Sequence, residues 1–167
     1  MSLLALPFRC PLLVVAAVVP FTILAVFAIQ YIGYPPCHLC LLQRLPWFAM
    51  AVLLFGHLAA HRMAWFRAIY RHVLFLFLAI LLVSTGLGVF HAGVEFALWE
   101  GPKGCSGSLD TTNIDNLLET LKQTKVVSCT KASFWVFGLS LSVWNAIISV
   151  GLAVLVGNAA IRPSALK

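Results

Sequence analysis

Apolar residues run along this chain in four long blocks, and the breaks between the blocks carry nearly all of its charge. Four segments hold no Asp, Glu, Lys or Arg over a membrane-crossing length: about Leu12 to Ile32, Leu45 to Ala60, Val73 to Val94 and Phe134 to Ala160. A helix needs roughly 20 such residues to cross a hydrocarbon layer about 30 Å thick. Three blocks meet that length, whereas Leu45 to Ala60 would rise only about 24 Å at 1.5 Å per residue. Basic residues after His61 close its far end, so this second span must recruit residues from about Leu41, including Gln43 and Arg44. Pro46 then falls in the first helical turn, where a missing N–H does little harm; deeper in the helix it predicts a kink.

The pattern predicts an all-α membrane protein, a single four-transmembrane-helix bundle over residues 1–167. Its spans fall at about 12–32, 41–60, 73–94 and 134–157, and its outer loops at about 33–40 and 95–131. The first block exceeds the apolar core of a secretory signal, about 7–15 residues, and reads as an uncleaved span. Inside the second outer loop, Ile114, Leu117, Leu118 and Leu121 recur at i, i+3, i+4 and i+7, which predicts a short amphipathic helix. Thr112 and Asp115 fit a capping box at its start. Its apolar face suits either the lipid interface or packing on the other helices.

Charge gives the bundle a direction. Arg62, Arg67 and Arg71 lie in the 61–72 connection, and Arg9, Arg162 and Lys167 lie near the termini; short basic segments of this kind stay in the cytoplasm. All five acidic residues, Glu95, Glu100, Asp110, Asp115 and Glu119, fall in the 95–131 loop. Long loops cross largely regardless of charge, so the four lysines of that loop do not reverse the reading. The expectation is N-in/C-in, with both outer loops on the side away from the cytoplasm.

Composition removes the soluble classes. Apolar residues make up 62% of the 167 and charged residues 10%, and the mean hydropathy is +1.00. The net charge of +6 is not gathered into the basic face that nucleic-acid binding needs, so no nucleic-acid partner is expected.

Four of the five cysteines fall in the outer loops: Cys37 and Cys40 as C-x-x-C in the first, Cys105 and Cys129 in the second. Two pairs on the outer face suit an oxidising compartment. A C-x-x-C serves as a redox pair, a metal site or a haem attachment, and Leu41 in place of histidine after Cys40 removes the last. A redox pair needs a thiolate favoured by a helix N-terminus or a cation. The start of the second helix and Arg44 offer both, although an interfacial arginine can also simply snorkel. Cys105 sits in Gly-Pro-Lys-Gly-Cys-Ser-Gly, a flexible and exposed sequence. A bridge from Cys105 to Cys129 is open to a structural reading as well as a redox one. Two pairs in adjacent outer loops would together make a relay needing a two-electron acceptor near Cys40. Cys10, on the cytoplasmic side, reads as an inert thiol.

Pro-Pro-Cys37-His-Leu-Cys40-Leu-Leu-Gln-Arg44, the later Cys105 and Cys129, and Ser142-Val-Trp144-Asn145 in the last span together resemble the DsbB family of disulfide bond formation proteins over nearly the whole chain. That resemblance implies a protein-dithiol:quinone oxidoreductase, and the DsbA–DsbB–quinone chain keeps the bacterial periplasm oxidising. It implies that a DsbA-like, thioredoxin-fold periplasmic partner attacks a Cys105–Cys129 disulfide at Cys105. Cys129 would then exchange with Cys37, leaving Cys40 to face a bound ubiquinone or menaquinone held by Arg44. His91 is a second quinone-pocket residue by this reading, and no resident metal is expected. Gln43 departs from the acidic residue of some relatives, which removes a proton acceptor. Trp144 and Asn145 read as helix packing. The competing readings are a small heavy-metal transporter using paired cysteines and a structural subunit with stabilising disulfides.

Overall fold

The computed structural model of the chain describes residues 11–60, 64–102, 105, 128–132 and 134–161. Cys10, His61, Arg62 and the expected amphipathic helix near Ile114 to Leu121 lie outside them. Among the described residues there are four helices: α1 (Pro11–Tyr31), α2 (His38–Ala60), α3 (Ala64–Glu95) and α4 (Leu141–Ile161). Each is long and apolar enough to cross a membrane. Strands β1 (Trp135–Val136) and β2 (Leu139–Ser140) pair antiparallel just before α4.

The outward faces stay apolar. Phe21, Leu24, Val52, Phe55, Leu82 and Val154 are all exposed, a surface that water would penalise and a bilayer would not. Inside, Val15 and Val19 of α1, Met50 and Trp47 of α2, Phe77 and Leu81 of α3, and Leu152 and Val156 of α4 form one buried cluster. The chain is a multi-pass membrane protein whose core is a four-helix bundle.

The most extensive pairing joins α3 to α4, and small residues explain how closely they approach. A Cβ built on Gly88 would stand 2.9 Å from the Ala146 backbone nitrogen, so only glycine fits there. Buried polar groups pin the same seam. Asn145 Oδ1 accepts from Trp47 Nε1 at 2.8 Å and from Ser84 Oγ at 3.4 Å. Its Nδ2 donates to the Ser84 carbonyl at 3.3 Å, and Ser149 Oγ donates to Ser84 Oγ at 2.9 Å. Asn145 therefore ties three helices together, and Trp144 donates to the Val136 carbonyl, holding the hairpin on α4.

Helix ends and apolar blocks differ in two informative places. The second helix begins at His38 rather than near Leu41, so Cys40 is helical and Pro46 lies well inside it; proline has no N–H for the Leu42 carbonyl there. The last helix begins only at Leu141, because Phe137 and Gly138 both take positive φ, 49° and 78°, and turn residues 134–140 into a two-residue hairpin.

Candidate functional site

The cysteine site starts from a cap. Pro35 and Pro36 keep the incoming chain extended, and Cys37 occupies the N-cap of α2. Its carbonyl accepts the first helical bond from Leu41 N at 3.1 Å, and its Sγ accepts from Cys40 N at 3.2 Å. A sulfur thus fills the place of a capping hydroxyl, satisfying a backbone donor and meeting the positive end of the helix. The two sulfurs, Cys37 Sγ and Cys40 Sγ, lie 2.8 Å apart, and both cysteines are free. A proton shared from Cys40, opposed by burial and assisted by His91 and the Cys40 N–H, draws the Cys37 thiol down from 9.0 to about 4.

Cys105 and Cys129 are joined by a disulfide, and both are completely buried. Cys105, expected to be exposed, is buried instead. Cys105 N donates to the Pro102 carbonyl at 2.9 Å, and Cys129 N donates to the Cys105 carbonyl at 3.1 Å. Gly101 allows the close approach, since a Cβ there would meet Cys105 Cβ at 3.1 Å and Val94 at 3.2 Å. Cys37, Leu39, Val94, Cys105 and Cys129 make one buried cluster, with Cys40 and Leu42 packed on it. The two cysteine pairs, separated by 65 residues or more in sequence, share one packing unit.

A cavity of about 650 Å³ opens beside that cluster between α1, α2, α4 and the end of α3. That volume suits a small ring system with its substituents. Cys40, Gln43, Arg44, Trp47, His91, Glu95 and Ser142 stand on its wall among apolar side chains such as Val26, Ile29 and Phe134; Cys37 does not. The two sulfurs therefore differ in surroundings: Cys37 lies within the cluster, whereas Cys40 packs on it and also reaches the cavity wall. Arg44 Nη1 donates to Gln30 Oε1 at 2.8 Å, and its guanidinium lies 5.3 Å from the Phe27 ring centroid. Those two contacts from α1 hold a charged donor group at the cavity wall.

His91 comes closer to the chemistry than its sequence position suggested. It is buried, and its Nε2 lies 3.6 Å from Cys37 Sγ and 3.6 Å from Glu95 Oε1. Glu95, the last residue of α3, accepts from both Ser140 and Ser142 hydroxyls. Sequence reasoning passed over Glu95 as one more loop acid, although its i,i+4 spacing from His91 puts the two on one helix face. Cys37, Cys40 and His91 also bring three ligand-type atoms within 4.8 Å of one another, a grouping with the donor chemistry of a soft-metal site.

Comparison with known proteins gives the family. The model of the family "Disulfide bond formation protein DsbB" matches residues 8–159. Disulfide bond formation protein B of Xanthomonas oryzae pv. oryzae, in two strains, is 28% identical over 134 residues, covering 77% of this chain and 76% of the relative. The uncharacterized protein RP370 of Rickettsia prowazekii is 23% identical over 137 residues, covering 80% of this chain and 76% of its own. No solved structure matches the chain. With a family match that reaches into all four helices and both cysteine pairs, the chain belongs to the DsbB family and is a membrane oxidoreductase of disulfide bond formation.

Proposed function

We propose that the chain reoxidises a DsbA-like, thioredoxin-fold dithiol protein at the periplasmic face of the bacterial inner membrane, and that it delivers the two electrons to a membrane quinone. The observation that carries this reading is the division of the Cys37–Cys40 pair. Cys37 is buried within the cluster that holds the Cys105–Cys129 disulfide, while Cys40, packed on the same cluster, also stands on the wall of the apolar cavity with Arg44. A relay needs that arrangement, because one member must exchange with protein sulfur and the other must meet the acceptor.

The exchange steps balance as thiolate attacks. A partner thiolate attacks Cys105 Sγ, the Cys105–Cys129 bond breaks, and Cys129 leaves as thiolate. The partner's second thiolate then attacks its own mixed-disulfide sulfur and releases Cys105, so the partner leaves oxidised and the loop pair holds two electrons. Cys129 attacks Cys37 of an oxidised Cys37–Cys40 pair and releases Cys40, and Cys105 then attacks Cys129 and releases Cys37. A low pKa makes Cys37 a good leaving group in that last step. Ubiquinone or menaquinone, when bound, supplies a two-electron, two-proton sink. Arg44 offers N–H donors and fixed positive charge for a ring oxygen, and the apolar wall keeps water from the sulfur.

The N-in/C-in orientation follows from the same reading, since Arg71 lies at the end of the bundle away from the cysteines. The grouping of Cys37, Cys40 and His91 favours the heavy-metal alternative; that reading needs neither quinone nor the Cys105–Cys129 pair. Replacing Cys37, Cys40, Cys105 and Cys129 one at a time with serine, and assaying oxidation of a reduced thioredoxin-fold protein, separates the two. Loss of turnover in each variant supports the relay, and retained turnover in all four would sink it.

A further inference from the structure

Gln43 of α2 turns its side chain to α3 and is buried, yet the relay gives it no task. Its Nε2 lies 2.9 Å from His91 Nδ1 and 3.3 Å from the Leu87 carbonyl oxygen. The Leu87 oxygen can only accept, so the atom facing it must be the amide nitrogen; turning the amide would set two oxygens against each other. The second N–H of the same nitrogen then points at His91 Nδ1, which must accept. A neutral imidazole that accepts at Nδ1 carries its proton on Nε2.

We propose that Gln43 is a positioning residue that fixes His91 as the Nε2–H tautomer, making the imidazole a standing hydrogen-bond donor to Cys37 Sγ. This deepens the proposed relay and rests on Cys37 being one of its reacting sulfurs. The donor faces Cys37 Sγ at 3.6 Å, and the Glu95 carboxylate lies 3.6 Å from the same nitrogen. The ionisable groups around the ring are Cys37 at the N-cap of α2, Cys40 of α2 and Glu95 of α3, with Arg44 on the same cavity wall. Glu95 is anchored by Ser140 and Ser142 and does not need the His91 proton.

The same bond argues against metal at this place. A histidine that ligates through Nε2 donates its Nδ1–H to an acceptor; here Nδ1 faces a donor. Gln43 therefore keeps three ligand-type atoms close together without forming a metal site. An acidic residue at position 43 would reverse that logic by accepting from Nδ1.

The test is nitrogen NMR of the histidine rings in the full-length reduced protein in lipid nanodiscs, with His91 assigned from a His91→Asn variant. The expected result is a pyridine-like Nδ1 and a pyrrole-like Nε2 for His91. In Gln43→Met this pattern is lost to a mixture of tautomers, and in Gln43→Glu the Nδ1 becomes protonated. A protonated Nδ1 in the parent protein, or an unchanged pattern in both folded variants, overturns the proposal. Thermal unfolding of each variant identifies one that has failed to fold, and the other then decides. The ring signature is read without turnover, so its failure leaves the relay standing and a failed relay leaves it intact.

Discussion

Cys37 Sγ and His91 Nε2 lie 3.6 Å apart across 54 residues of sequence, which places a ring nitrogen beside the sulfur that caps α2. The Cys40 proton, the α2 N-terminus and this ring together hold Cys37 near a pKa of about 4 against an ordinary 9.0. Its ionisation therefore persists as pH falls from 9 toward 4. The associated stabilisation is full above 9, shrinks through that window and is gone below 4. In a reduced variant with Cys105 and Cys129 replaced by serine, thiolate absorbance near 240 nm is expected to show a step with an acidic midpoint. Cys37→Ser should abolish that step, and a lowest midpoint near 9 would refute the geometry.

Arg44 gives a prediction that divides the relay. Arg44→Met removes the guanidinium but touches neither cysteine pair. Quinone turnover is expected to fall about 10- to 100-fold, the equivalent of one charged hydrogen bond at about 1.5–3 kcal/mol. Single-turnover reduction of the Cys105–Cys129 disulfide by the partner should keep its rate. Equal loss in both steps would mean that Arg44 supports the fold rather than the acceptor.

Gly88 tests the helix seam beneath the site. A Cβ there meets the Ala146 backbone nitrogen at 2.9 Å, and backbone cannot swing aside as a side chain can. Gly88→Val should push α3 from α4, lower the unfolding temperature in detergent, and displace His91 and Glu95 above it. Gly86, whose added Cβ meets nothing within 4 Å, is the control: Gly86→Ala should leave stability unchanged or slightly raised. Equal behaviour of the two would contradict the described α3–α4 packing.

Asn145 offers a second stability test. Asn145→Ala removes the acceptor of Trp47 and Ser84 and the donor to the Ser84 carbonyl, leaving buried polar groups without partners. A loss of about 1–2 kcal/mol is expected from equilibrium unfolding in mixed micelles. Trp47→Phe, which gives up one of those bonds, should cost less. No loss on Asn145→Ala would show that the polar pin contributes nothing.

Much of this was legible in the residues before any coordinates. Four charge-free blocks announced four helices because a bilayer tolerates little else, and the pattern from Cys37 to Arg44 with the later cysteine pair carried the family. The ends of the helices were less legible. Charge marks where lipid stops, whereas α2 starts where a sulfur can cap it, at Cys37, and α4 waits for the turn at Phe137 and Gly138 to finish. Cys105 looked exposed because glycines and a lysine surround it, but it is buried, and Gly101 is what allows the close approach of Cys105 and Val94. Glu95 was passed over, and Gln43 was read only as a lost proton acceptor, for a common reason. Each acquires its role from a neighbour on another element, Leu87 and His91 for Gln43 and the two serines before and within α4 for Glu95, and such pairings leave little trace in a single sequence.

The central claim is tested most directly by anaerobic turnover of the purified protein with a reduced DsbA-like dithiol protein while quinone absorbance is followed. The account predicts that ubiquinone or menaquinone is consumed one for one with partner dithiol and that Cys40→Ser abolishes the consumption. Quinone that stays oxidised while both substrates are present, or consumption that survives Cys40→Ser, would contradict it.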